Sequence, residues 1–357
     1  VTSGLVHRES RSLNHNKERD FRREVLLAGG ALLALFVLVL WLWNVMETKR
    51  VGERFQRMRR LQARCLALLR PEEGTVVVMD PRDGRILALT NPDWAVGMRF
   101  PPGSTFKLVA ALAALKEQRI DPGWTISCPG FYVFQGETLD CGHVHGEVNI
   151  VKGLAFSCNT CFYSLGRKVG WRSIADCARA CGLSARTGIN LPGEVTGEVP
   201  LALSDRQAVD FSVGEGGWIQ VTPIGMAVFI SAISNGGKRF VPQGIPDQES
   251  LRHFRPHPAD PLKLPPGSSL IREGMREAVE YGTCVEAKLP HAVAAGKTGT
   301  ATAVLEGGAT HSWFLGFAPF DHPRYVVMVF NKRGLGQATS APLGGQILRA
   351  CFEEEQR

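Results

Sequence analysis

One run constrains this chain before any other: VLLAGGALLALFVLVLWLW, residues 25–43, nineteen consecutive residues without a charge. As an α-helix rising about 1.5 Å per residue it is long enough to cross a hydrocarbon core of about 30 Å. In that medium only a helix or a closed barrel satisfies its own backbone. Trp41 and Trp43 stand at its end, where interfacial anchors sit. A cleaved signal peptide is the competing reading, but the run is long for one and no small-x-small cleavage site follows it. The expectation is a retained anchor over 25–46 behind a polar tail at 1–24. Lys and Arg flank both ends, so the positive-inside rule leaves the orientation open.

Between Glu47 and Arg70 eight basic residues face two acidic ones. Basic charge beside an apolar span serves anionic lipid headgroups. It also supplies much of the formal charge of +7 on the 357 residues. No RNA-binding signature or zinc-finger array accompanies it, and no nucleic-acid partner is expected. TKRVGERFQRMRRLQARCLALL (48–69) has helix-forming composition and precedes Pro71, so 47–72 reads as a juxtamembrane helix or linker.

From 73 to 357 the pattern is that of a packed domain, in a chain 44% hydrophobic and 21% charged. TVVVMD (75–80), the turn PRDG and RILALT (85–90) predict a hairpin. LVAALAALKEQ (108–118) predicts a buried helix, and further helices surround Ser157. VTPIGMAVFISAISNGG (221–237) predicts a helix closed by Asn235-Gly236, followed by another helix at 270–281. GKTGTATAV (296–304), SWFLGFAPF (312–320) and RYVVMVFNK (324–332) predict three neighbouring strands before a terminal helix. Strands lie at both ends of the domain with helices between. That order implies a mixed α/β fold of the α+β type, an antiparallel-rich sheet flanked by helices.

The chemistry begins at PPGSTFKLV (101–109), where a Pro-Pro-Gly turn leads to Ser104 and then Lys107. Residues three apart share a helix face, so the Lys107 amine can reach the Ser104 hydroxyl as base or as counter-charge. A helix N-terminus also favours negative charge developing on a reacting oxygen. Ser-x-x-Lys alone is weak, since a chain of this length contains about one by chance. Two further triplets follow it: Ser157-Cys158-Asn159, then Lys297-Thr298-Gly299 with Thr300 behind it.

The three triplets in this order resemble the penicillin-binding transpeptidase family, and the resemblance covers roughly 73–357. GTVVVMDPRDGRILAL, LPGE (191–194), VGEGGWIQVTPIGMA and SWFLGFAP extend it. It implies a penicillin-binding/β-lactamase-like fold with a helical subdomain. By resemblance Ser104 is the acylated nucleophile, Lys107 its proton acceptor and Ser157 a proton relay. Asn159 binds the substrate's amide, and Lys297 supports the proton network and the substrate carboxylate. Thr298, Gly299 and Thr300 form the carboxylate-binding strand, and the N–H groups of Ser104 and Thr300 form the oxyanion hole. The implied reaction cross-links peptidoglycan stem peptides, a D-Ala-D-Ala donor and an amine acceptor, without a cofactor for catalysis. β-Lactams acylate the same serine. The substrate lies outside the bacterial cytoplasmic membrane, so the catalytic domain is expected there, on a single-pass anchor and within reach of a cell-wall synthesis complex. Glu215 and Gly225 stand where the family pattern has Gln. The linker at 47–72 is shorter than the pedestal of class B members or the glycosyltransferase domain of bifunctional ones.

Three other functions share these motifs or this setting. A membrane-anchored serine β-lactamase of class A would add Glu-x-x-Leu-Asn between the second and third triplets, and that run is absent. A D,D-carboxypeptidase would pass the acyl group to water. A non-catalytic β-lactam sensor or wall-scaffold protein is the alternative of another class.

Cys128, Cys141, His145 and Cys158 form a C-x12-C-x3-H-x12-C pattern that runs into the second triplet. Some elongation-type members of the family are similar in holding zinc there, and a Cys3His set suits a tetrahedral structural zinc. A Cys128–Cys141 disulfide and reduced, partly buried thiols are the other readings. His143 is a substitute ligand by its position. Cys161, Cys177, Cys181 and Cys351 read as core residues.

Overall fold

The computed structural model describes residues 3–70, 73–121, 123–303 and 308–356; Pro71, Val304 and both chain ends lie outside them. It divides into two units, residues 1–55 and 56–357. Helix α1 (Ser3–Leu68) contributes to both. In the first unit every residue from Phe21 to Met46 is exposed, including Leu32, Phe36 and Trp41. The helix is long and apolar enough there to cross a membrane. An exposed apolar surface of that length fits a membrane-spanning segment.

In the second unit the last turns of α1 belong to the fold. Leu61, Cys65 and Leu69 are buried with Val76, Val78 and Phe314. Arg60 and Arg64 of the same helix pair with the buried Glu354. The stretch read as a linker is therefore, from Gln56, part of the compact unit.

Along the chain follow β1 (Gly74–Met79), β2 (Arg85–Leu89), α2 (Pro92–Gly97) and α3 (Lys107–Lys116). Two hairpin-like pairs come next, formed by β3 (Thr125–Cys128), β4 (Phe131–Phe134), β5 (Glu137–Asp140) and β6 (Gly146–Asn149). Helices α4 (Ile150–Ala155), α5 (Asn159–Val169), α6 (Trp171–Ala180), α7 (Asp205–Ser212) and α8 (Pro223–Ser234) make the helical part. The short β7 (Arg239–Phe240), β8 (Gln243–Gly244), α9 (Gln248–Arg252) and β9 (Pro258–Ala259) lead to α10 (Ser269–Glu280). The chain ends in β10 (Ala295–Ala303), β11 (Ala309–Ala318), β12 (Tyr325–Asn331) and α11 (Ala341–Gln356).

The main sheet has the order β10-β11-β12-β1-β2-β8. The first strand pairs antiparallel with the last, Val77 opposite Met328. All neighbours are antiparallel except β2 and β8. This is the antiparallel-rich sheet expected from strands at both ends of the domain. Every residue of β1 is buried, because the sheet is covered on both faces. Val77, Trp313, Leu315 and Phe330 face one core and Val76, Val78, Phe314 and Val329 the other. Alternation along a strand divides the side chains this way. Helix α8 packs on β1, β11 and β12, and α11 on β11 and β12.

Local chemistry sets the element ends. In the β1–β2 turn Asp80 accepts the Arg82 N–H, and Gly84 takes φ +85. Thr222 caps α8 through the Gly225 N–H, with Pro223 in its first turn. Helix α3 is buried on every side from Lys107 to Leu115, as its Ala/Leu run predicts. It places Lys107 between the sheet's β10 edge and the helical part.

Candidate active site

Ser104 lies in a 3-10 turn, Gly103–Phe106, that runs into α3. Gly103 takes φ +52, and a Cβ there would overlap the Thr300 carbonyl oxygen. The turn is therefore set backbone to backbone against β10, an approach open only to glycine. Trp313 Nε1 donates to the Pro101 carbonyl at 2.9 Å, and Thr105 Oγ1 to the Pro102 carbonyl at 2.7 Å. The first bond ties the approach to the turn to the sheet, and the second closes the turn on itself. The half-buried Ser104 hydroxyl has no side-chain partner among the described residues.

Ser157 lies in the break between α4 and α5 with φ +54. A non-glycine residue in that region costs about 1–2 kcal/mol. Flanking bonds hold it there: Ser157 N–H to Leu154 O at 3.2 Å and Cys158 N–H to Gly153 O at 2.9 Å. Its hydroxyl accepts from Lys107 Nζ at 3.2 Å and from Lys297 Nζ at 2.9 Å. Lys107 Nζ also donates to the Ser157 carbonyl at 2.7 Å and to Asn159 Oδ1 at 2.6 Å. Lys297 Nζ donates to the Thr298 carbonyl at 2.8 Å. The three triplets meet at one hydroxyl.

Both lysines are fully buried. Burial lowers the Lys107 amine to about 8. Burial first, then the charge of Lys107, lowers Lys297 to about 7. Two ammonium groups on one hydroxyl oppose each other's charge, so the pair sheds a proton far more readily than free lysines do.

Strand β10 forms one wall and is the end strand of the sheet. Thr298 Oγ1 donates to Thr283 Oγ1 at 2.9 Å, and Gly336 N–H donates to Thr300 Oγ1 at 2.9 Å. A Cβ on Gly299 would lie 2.7 Å from the Pro102 carbonyl, and one on Gly336 2.5 Å from the Gly299 carbonyl. Thr283 and Gly336 hold the threonines of the third triplet. Gly336 carries no sequence signal for this role.

Cys128 at the end of β3, Cys141 after β5, His145 before β6 and Cys158 at the N-cap of α5 have ligand atoms all within 4.8 Å of one another. Cys128 Sγ lies 3.6 Å from Cys141 Sγ and 3.4 Å from His145 Nδ1. Cys141 Sγ lies 3.6 Å from His145 Nδ1 and 3.7 Å from Cys158 Sγ. A tetrahedral zinc with bonds of about 2.3 Å to sulfur and about 2.05 Å to nitrogen has edges of about 3.8 and 3.6 Å, so this donor set fits one. The 3.6 Å between Cys128 and Cys141 exceeds the about 2.05 Å of a disulfide. His143 is exposed and stands outside the cluster, offering only its carbonyl toward Cys128. Cys161, Cys177, Cys181 and Cys351 are buried, as expected.

A model of the penicillin binding protein transpeptidase domain matches residues 74–352. The peptidoglycan D,D-transpeptidase MrdA of Acinetobacter baumannii is 27% identical over 348 residues, which covers 80% of this chain and 52% of the relative. Stage V sporulation protein D of Bacillus subtilis is 28% identical over 326 residues, covering 80% and 50%. The chain spans about half the length of the curated relatives it matches. Among solved structures, the transpeptidase domain of Burkholderia pseudomallei penicillin-binding protein 3 superposes with a TM-score of 0.72 at 20% identity, covering 86% of this chain and 94% of that one. The Helicobacter pylori complex of PBP2 with MreC gives 0.69 at 22% identity, covering 83% and 62%. These two show the fold.

Proposed function

This chain belongs to the penicillin-binding protein transpeptidase family, and from that membership we propose that it is a peptidoglycan D,D-transpeptidase acting through an acyl-enzyme on Ser104. The observation that carries the reading is the Ser157 hydroxyl held between the buried amines of Lys107 and Lys297, beside a serine turn clamped on β10.

Neutral Lys107, available near pH 8, takes the Ser104 proton as the hydroxyl attacks the D-Ala-D-Ala carbonyl. The Ser104 and Thr300 N–H groups receive the oxyanion, and loss of one such donor costs on the order of a hundredfold or more in rate. Ser157 returns the proton to the departing D-Ala amine, and Lys297 keeps that relay oriented. Asn159 binds the stem-peptide amide, and Thr298 and Thr300 bind its carboxylate. An amine from a second stem then takes the acyl group. β-Lactams acylate the same serine and block the site.

Cys128, Cys141, His145 and Cys158 would hold a structural zinc, which ties the β3–β6 segment to the N-terminus of α5 and so supports Ser157 and Asn159. Acyl transfer itself runs on the side chains named above. The N-terminal apolar helix anchors the chain in the bacterial cytoplasmic membrane with the catalytic unit outside, where the substrate is. The MreC complex of the Helicobacter pylori neighbour supports a place in a cell-wall synthesis assembly.

The test is covalent labelling of the full chain by a fluorescent penicillin. A long-lived adduct is expected that disappears in Ser104→Ala. An adduct independent of Ser104, or none, would sink the reading. Rapid hydrolytic turnover of the drug would point to a β-lactamase.

A further inference from the structure

Away from the serine, four elements meet around a cavity of about 260 Å³. The β4–β5 turn, the end of α5 and the first turns of α6 and α7 supply its walls. Its apolar lining includes Phe134, Trp171 and Val209, and its polar lining Gln135, Arg167 and Asp205. None of the three triplets contributes to it. Helix α5 starts at Asn159 and rises about 1.5 Å per residue, so Arg167 stands about 12 Å along it from that residue.

The cavity carries two opposite charges that the protein leaves unused. The Arg167 Cζ lies over the Phe134 ring, 5.4 Å from its centroid, and the guanidinium makes no ion pair among the described residues. A guanidinium held over a ring keeps its edge N–H groups for a ligand. Asp205 is exposed in the first turn of α7 and meets no cation among the described residues. Its neighbour Arg206 is committed to Glu137 at 2.7 Å and to Asp210 at 2.5 Å. The other cations of these helices are also engaged: Lys168 donates to the Arg119 carbonyl at 3.4 Å, and Arg172 lies over Trp171 at 4.7 Å. Arg167 and Asp205 line one cavity without pairing with each other, so a molecule seated between them neutralises both.

We propose that this cavity binds a small zwitterion of the amino-acid type. Its carboxylate meets the Arg167 guanidinium, whose planar fork suits two parallel hydrogen bonds. Its ammonium meets Asp205, and its carbon skeleton lies on Phe134 and Trp171. A ligand with a single charge would satisfy only half of the polar lining. The volume admits an amino acid or a dipeptide and falls below the roughly 300–1,000 Å³ of sites for larger ligands. Two sources carry this chemistry: the free D-alanine that acyl transfer releases, and a stem-peptide residue bearing both an amine and a carboxylate. The site stands on its own lining, and only the two sources rest on the transpeptidase reading.

The experiment is calorimetric titration of the full chain in detergent with D-alanine and with meso-diaminopimelate. One saturable site per chain is expected. N-acetyl-D-alanine, which lacks the ammonium, and D-alanine amide, which lacks the carboxylate, should each bind at least about tenfold more weakly than D-alanine. Arg167→Gln and Asp205→Asn should weaken the zwitterion by at least about tenfold with unchanged penicillin acylation. Arg167→Lys, which keeps the charge, should recover part of the binding and decides the matter if the Gln variant melts early. Tighter binding of D-alanine would identify the released product as the source, and tighter binding of diaminopimelate the stem peptide. No saturable binding of either, equal binding of the singly charged analogues, or variants that bind as wild type does would overturn the proposal. So would displacement of the zwitterion by benzylpenicillin, which would put it in the Ser104 cleft. Wild-type protein that is never acylated at Ser104 would overturn the transpeptidase reading and leave the titration to decide this site.

Discussion

The sharpest consequence of the site concerns the charge on Lys107. Its amine is fully buried and lies near 8 rather than the ordinary 10.5. At pH 7 about 10% of such a group is neutral, against about 0.03% of an ordinary lysine, a gain of about 300-fold in available base. Acylation by a β-lactam should therefore climb about tenfold per pH unit below 7 and level off above pH 8, a rise of about fiftyfold between pH 6 and 8. Lys107→Arg keeps the positive charge and much of the length but cannot give up its proton. It should acylate at least about 100-fold more slowly and show no rise over that range. Stopped-flow acylation with a fluorescent penicillin at constant ionic strength measures both. A flat wild-type profile from pH 6 to 9, or an arginine variant with more than a tenth of wild-type activity, would refute the assignment of Lys107 as the base.

Gly103→Ala forces a Cβ into the Thr300 carbonyl at a positive φ. It should shift the serine turn, lower acylation about 100-fold and lower the melting temperature by a few degrees; unchanged acylation would mean that the contact is dispensable. Cys141→Ser removes one of four convergent donors. Protein purified without chelator should carry one zinc per chain and this variant much less, with a lower melting temperature, whereas metal-free wild type with the three cluster thiols reactive, or with a disulfide, would count against the site. Lys107 and Lys297 are held at about 8 and about 7, below the unfolded 10.5, so the unfolded chain binds their protons more tightly. Their contribution to stability is complete above pH 10.5 and is lost as pH falls through 8 and 7. Urea midpoints should accordingly drop from pH 9 to 6.5, and by less in Lys297→Met.

Much of the fold was legible because its signals are local. The PRDG turn, the Thr222-Pro223 cap and the β-branched runs each act within a few residues, and their elements lie where those signals place them. The strands β3 to β6 had no such signal, since they are four residues each and largely exposed. The helix at 48–69 was legible as a helix. That its end is part of the compact unit was not, because Leu61 and Cys65 are buried together with α11 residues far along the chain.

The site divides along the same line. The sequence by itself determined which side chains to look for at the site, because three triplets in order are a composite signal that chance seldom supplies. It also determined the apolar span, since a run of nineteen uncharged residues needs no tertiary partner to be recognised. Only the tertiary structure decided who touches whom. Lys107, expected to serve Ser104 from one turn away, is bonded to Ser157 and Asn159, and Lys297 reaches the same hydroxyl across 140 residues of chain. It also decided that Glu215 stands beside β10, and that four metal-type donors converge behind Ser157. The amine shifts follow from burial, and burial belongs to the packed molecule: no local stretch of sequence states which water has been removed from around a charge.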